Sequence, residues 1–249
     1  MQHLGQTRST RRQTHLLHTP DAFVRAPLPG MERGMAVIHI SPVAGAGFMQ
    51  YTAELEDGGC LGSTSWQRFM FMVSGEIEVA VGQDTYRLSK GGYGYLPQEV
   101  VHSAVAIGSA LVAVIEKPYV RLDGVAAVGA LFGFEEEINA EPVMGDEGLQ
   151  VRSLLPADRG FDFAMNTLTY APGVALPLVE VHVMEHGLLM LDGGGIYRLG
   201  DNWYPVTAGD FIWMAAYCPQ WFGALGKVPA KYLLYKDWNR STAVLPTAG

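Results

Sequence analysis

Short apolar runs alternate along this chain with glycine, proline and charged positions. Those at 35–40, 69–73, 77–81, 110–115, 188–191, 211–214 and 232–235 have strand length and are rich in β-branched and aromatic residues. Turn residues flank most of them. No stretch sustains an amphipathic helix over three turns. The best helical candidate, around 134–138, carries Glu135-Glu136-Glu137, which reads as a solvated linker face rather than an acidic binding site. The pattern predicts an all-β protein.

The pattern also repeats. Displacing the chain by 118 residues sets Gly75 on Gly193, Gly82 on Gly200, Tyr86 on Tyr204 and Gly91 on Gly209. The same register brings Met72 onto Met190 and His102 onto Gln220. Two copies of one β-domain are expected: an N-terminal segment over 1–35, a first barrel over 36–120, a linker over 121–155 and a second barrel over 156–249. Short antiparallel strands must close or pair to hide their edges, so each copy should be a barrel or jelly roll.

Composition narrows the choice of function. Among 249 residues, 49% are apolar and 17% charged, enough for a substantial core and too few charges for a disordered chain. The 17 Lys and Arg against 25 Asp and Glu leave a net charge of −8, which disfavours nucleic acid as a partner. The basic cluster Arg8, Arg11 and Arg12 lies in a polar stretch that reads as a disordered leader. Cys60 and Cys218 make no disulfide framework and suit a reducing, cytoplasmic setting. The first 30 residues hold no signal-peptide core, and the longest apolar run, 124–134, is well short of the roughly 18 residues of a membrane span. No membrane partner is expected.

Candidate chemistry lies in the second copy. In Glu180-Val-His182-Val-Met-Glu-His186-Gly, strand alternation puts Glu180, His182 and His186 on one face if the strand runs on. A carboxylate and two imidazoles match the demand of a divalent metal. The repeat sets Gln220 opposite them, and its side-chain oxygen completes a hard O/N set suited to Mn²⁺ or Fe²⁺. Spacing alone leaves metal binding and ordinary core packing equally open. The first copy has Gly62, Thr64 and Arg68 at the corresponding positions, with only His102 opposite. One imidazole cannot hold a catalytic metal, so that barrel is expected to be metal-free and structural. His39 reads as a strand residue. Gly193-Gly194-Gly195 reads as a hairpin turn, because no helix follows it to make a phosphate loop. Cys218 has no activating histidine in a recognised motif and is not expected to be a nucleophile.

The stretch from Glu180 to Gln220 resembles the two-motif signature of the cupins, which are double-stranded β-helix (jelly-roll) barrels. The second motif reads Pro205-Val-Thr-Ala-Gly209-Asp210-Phe-Ile-Trp213 and ends in Cys218-Pro219-Gln220. A glutamine as last ligand, and a glutamate two residues before the first histidine, depart from the general cupin pattern. They are distinctive of the bicupin ureidoglycine aminohydrolases of purine (allantoin) catabolism, earlier described as glyoxylate-utilisation proteins. Tyr232-Leu-Leu-Tyr-Lys236-Asp-Trp-Asn-Arg240 is similar to that family's C-terminal tract, and Pro27-Leu-Pro-Gly30 to its entry into the first barrel. The likeness spans the chain beyond about residue 15 and is strongest over 180–240.

The resemblance implies a tandem cupin that hydrolyses (S)-ureidoglycine to (S)-ureidoglycolate and ammonia, with one Mn²⁺ per chain. It assigns Glu180, His182, His186 and Gln220 to the metal, and Glu180 also to substrate and proton transfer. It assigns Lys236 to the substrate carboxylate and catalysis, and Tyr197, Tyr232 and Gln220 to substrate binding. Packing is the alternative for both tyrosines. The implied partner is a small molecule, and exposed faces on such barrels favour a homo-oligomer. Cupins also include dioxygenases and non-catalytic binding modules, which fold alone does not exclude. Oxygen consumption distinguishes the first and the lack of ammonia release the second.

Overall fold

The computed structural model describes residues 7–240, so the extreme ends of the two outer segments, 1–6 and 241–249, lie outside the described residues. The fold is all-β. Its helical pieces are 3₁₀ turns of three residues at Pro20–Ala22, Pro42–Ala44 and Glu135–Glu137. In the last of these Glu136 and Glu137 are exposed as expected, but Glu135 is buried and its amide donates to the Gly91 carbonyl. The chain forms two compact units.

The first unit comprises, among the described residues, 7–8, His18–Tyr119 and Ala127–Ala140. Its antiparallel sheet joins ten strands, in which Ala110–Lys117 pairs with both Met49–Leu61 and Gln67–Ser74. Alternation places Met70, Met72, Val112 and Val114 in a core that also holds Ile77, Val79 and Leu88. The strand Met49–Leu61 carries Glu54, Glu56 and Asp57 among its apolar positions and is not marked by an apolar run.

The second unit comprises, among the described residues, Ser9–Leu17, Val120–Ala126 and 141–240. One sheet runs, in spatial order, Thr10–Arg11, His15–His18, Phe211–Met214, His186–Asp192, Ala230–Asp237, Phe163–Tyr170, Asp146–Ser153 and Glu141–Val143. A second sheet holds Asn202–Thr207, Gly194–Leu199 and Gln220–Ala224. Leu149, Leu188, Met190, Leu199, Ile212 and Phe222 are packed in its core.

Two expectations change. The leader is not disordered over residues 10–18: Thr10–Arg11 and His15–His18 form a hairpin, with Leu17 buried in the second unit's core. The stretch 121–155 is more than a connection, because Leu131–Phe134 pairs with Gly92–Leu96 in the first unit's sheet, while Glu141–Val143 and Asp146–Ser153 extend the second's. In both cases sheet edges recruit short segments whose local pattern is too brief to read as strand.

The 118-residue repeat is visible strand by strand. Glu76–Val81 and Asp84–Ser89 correspond to Gly194–Leu199 and Asn202–Thr207, and His102–Ala106 to Gln220–Ala224. Gly75 and Gly193 both have left-handed φ, at 76° and 63°, and a Cβ on either would strike the backbone of a neighbouring segment. Among the described residues no helix is long and apolar enough to cross a membrane.

Candidate active site

Glu180 and Gln220 form an isolated antiparallel bridge in the second unit, each amide donating to the other's carbonyl at 2.8 Å. Their side chains therefore start from paired positions. The straight strand expected from Glu180 to His186 is not formed. The chain bends at 183–184, and the strand begins only at His186. The bend is what brings the imidazoles together. Four extended residues would span about 13 Å, whereas the rings of His182 and His186 lie 4.9 Å apart. His182 Nε2 is 3.2 Å from Glu180 Oε2, and the Tyr217 amide holds the segment by donating to the His182 carbonyl at 2.7 Å.

These groups open on a cavity of about 280 Å³ whose walls also carry Gln220, Tyr197, Tyr232 and Lys236. Every candidate site residue read from the sequence thus lines one cavity. Lys236 arrives there through sheet register, directly opposite His186 on the adjacent strand and on the same face. Among the described residues no group of three or more His, Cys, Asp or Glu side chains is drawn close enough to hold a metal ion by itself. Glu180, His182 and His186 share the cavity with the Gln220 amide as a fourth donor.

Burial sets the protonation states. His186 is buried and its Nε2 has no hydrogen-bond partner, while its ring is held to the Met184 backbone. Burial first, then the Lys236 and His182 charges, lower its pKa to about 3, so the ring is neutral and its free nitrogen is available to a cation. Burial also draws Lys236 below its ordinary value, with Glu180 opposing the shift. Tyr197 and Tyr232 are pushed well above the usual tyrosine value, mainly by burial, and remain phenols. The Tyr197 hydroxyl donates to Gln220 Oε1 at 2.9 Å and so fixes the carboxamide. Tyr232 shares a 2.8 Å hydrogen bond with Tyr170.

Tyr170, Ser153 and Asn166 escape a reading of the sequence. Tyr170 contacts Tyr232 from a strand 62 residues away, and Ser153 and Asn166 line the cavity from two strands that carry no chemical motif. Cys218 is buried, with its thiol pKa raised by that burial, as suits a core residue.

The corresponding place in the first unit is filled by a side-chain cation. Arg68 donates to Glu116 Oε1 through Nε at 2.8 Å, and its Nη2 lies 2.7 Å from the same oxygen. Its Nη1 reaches the Gly62 carbonyl and His102 Nε2, each at 2.8 Å. His102 Nδ1 then donates to the Val100 carbonyl, which assigns its neutral tautomer, and the Tyr51 hydroxyl donates to Glu116. His39 is a buried strand residue hydrogen-bonded to Thr52 at 2.8 Å.

Comparison with known proteins bears on fold and family. Residues 44–119 match the EutQ-like cupin domain. The (S)-ureidoglycine aminohydrolase of Arabidopsis thaliana is 38% identical over 242 residues, covering 95% of this chain and 80% of that protein. The crystal structure of the Escherichia coli protein Ylba superposes with a TM-score of 0.85 at 31% identity, over 97% of this chain and 98% of that one. Bacillus subtilis oxalate decarboxylase, described with Mn(II) centres, superposes with a TM-score of 0.72 over 93% of this chain and 79% of that one. At 11% identity that likeness is one of fold alone. On the strength of the Arabidopsis match, the chain belongs to the (S)-ureidoglycine aminohydrolase family, built on the cupin fold.

Proposed function

We propose that this protein releases ammonia from (S)-ureidoglycine to give (S)-ureidoglycolate, with one Mn²⁺ per chain held by Glu180, His182, His186 and Gln220. The observation that carries the reading is the single cavity in which a neutral, unpartnered His186 Nε2 faces the same space as Glu180, His182, Gln220 and Lys236. Two imidazole nitrogens, a carboxylate and an amide oxygen fit a divalent cation of intermediate hardness. Bound there, it would supply Lewis acidity and positive charge to anchor the substrate.

In the net reaction water adds to the carbon that bears amine, ureido group and carboxylate. A C–O bond forms, the C–N bond to the amine breaks, and ammonia leaves with a proton from the water. The adjacent ureido nitrogen pushes electrons toward the breaking bond. Glu180 is the carboxylate placed to carry the proton. Lys236 meets the substrate carboxylate as a compact ammonium, which offsets the cost of its burial. Tyr232 supplies a phenolic donor from the cavity wall, and Tyr197 holds the Gln220 oxygen in place. The reaction belongs to purine breakdown through allantoin in the cytoplasm, acts on a small molecule, and is carried out by a homo-oligomer. Freshly generated (S)-ureidoglycine should give ammonia above its spontaneous rate, while allantoin, which requires ring opening, should give none. Equal rates with and without protein would overturn the assignment.

A further inference from the structure

Ser153, Asn166 and Lys236 line both the 280 Å³ cavity and a second one of about 180 Å³ beside it. The far side of the second cavity is mostly apolar, with Leu155, Phe161, Phe163 and Trp238. These three polar side chains therefore form the partition between the metal-ligand compartment and an apolar one. Sheet register builds it. Ser153 stands opposite Asn166, and Asn166 opposite Leu234, two positions from Lys236 on the same strand. Asn166 and Lys236 are thus diagonal neighbours on one face, with backbones about 7–8 Å apart. Along Phe163–Tyr170 the residues that share this face are Ala164, Leu168 and Tyr170, so Asn166 is its one amide.

A carboxamide offers two N–H donors and a carbonyl acceptor, and a serine hydroxyl offers one donor and two acceptor sites. Together they complement a ureido group, whose carbonyl accepts while its N–H groups donate. The diagonal spacing from Lys236 suits two substituents of one carbon, the carboxylate reaching the ammonium and the ureido arm reaching the amide.

We propose that Asn166, assisted by Ser153, recognises the ureido group and is the specificity-determining residue that selects ureido acids over their acyl analogues. The proposal rests on the aminohydrolase reading above. It also makes a binding prediction that turnover does not enter. N-carbamoylglycine carries the ureido and carboxylate groups without the amine, and N-acetylglycine replaces the terminal NH₂ by a methyl group. Calorimetry on the metal-loaded wild type should show tighter binding of the carbamoyl compound. Asn166→Leu should reduce that preference about tenfold, because a site built to hydrogen-bond one group discriminates through those bonds. The same variant should raise KM for (S)-ureidoglycine about tenfold, with a smaller change in kcat and unchanged metal content. If the leucine variant does not fold, Asn166→Ala removes the carboxamide oxygen that accepts from the terminal NH₂ without adding bulk, and should lose the same preference. An unchanged preference in whichever variant folds would overturn the proposal. Wild-type protein that binds the carbamoyl compound selectively but releases no ammonia would sink the aminohydrolase reading and leave the role of Asn166 in ureido binding standing.

Discussion

Lys236 carries the sharpest residue-scale consequence. Its register partner is His186, and its ammonium sits where burial disfavours charge and Glu180 alone opposes that effect. A cation in that position is compatible with a nearby metal when an anion lies between them, and in the proposed reaction the substrate carboxylate is that anion. Lys236→Ala should keep the fold and the bound metal while lowering kcat/KM about 100-fold, in line with roughly 2–3 kcal/mol for a charge-assisted contact. Lys236→Arg should restore little, because a planar fork does not replace a compact ammonium. Steady-state ammonia release together with metal analysis checks both, and near-normal kinetics in the alanine variant would remove Lys236 from the site.

At the scale of elements, a guanidinium fills the place in the first unit that corresponds to the second unit's candidate ligands. Arg68 on Gln67–Ser74 ties Glu116 on Ala110–Lys117 to His102 on His102–Ala106, and Tyr51 on Met49–Leu61 completes the group. Arg68→Met would leave Glu116 buried without its cation, at a cost of about 3–5 kcal/mol. Adding Glu116→Gln should recover most of that loss. Urea denaturation of the two variants reads this directly, and a single-variant cost below about 1 kcal/mol would contradict it. This tie also shows what a sequence can reveal. Alternation and the glycine repeat made the strands and the two copies legible, and the metal-like residues were legible because they cluster within one motif and its repeat partner. Glu116 was invisible because its partners lie 48 and 65 residues away, and pairing across such separations leaves no local signature. The bend at 183–184 was hidden for a related reason. Alternation describes a straight strand, whereas the bend answers to the bridge between Glu180 and Gln220. Asn166 lay in an ordinary strand, and only register gives it a place beside Lys236.

For the molecule as a whole, buried histidines should set the acid limit. Burial first and His18 second lower the pKa of His39 to about 3 from an ordinary 6.5. As pH falls below about 6.5 the unfolded chain takes up this proton and the folded chain does not, so the stabilisation present above 6.5 is lost toward pH 3. In chelated protein the loss from His39 should be about 2–3 kcal/mol between pH 6.5 and 4.5, with the slope reduced by about one proton in His39→Gln. Denaturation midpoints that do not move over that range would contradict this. The central claim is that one metal-holding cavity in the second unit performs the hydrolysis. Its most direct test is ammonia release from freshly prepared (S)-ureidoglycine by protein that is first chelated and then reloaded with Mn²⁺, alongside His186→Ala treated in the same way. Release should stop on chelation, return with about one metal equivalent per chain, and stay absent in the variant; release that persists after complete metal removal, or full activity in His186→Ala, would contradict the claim.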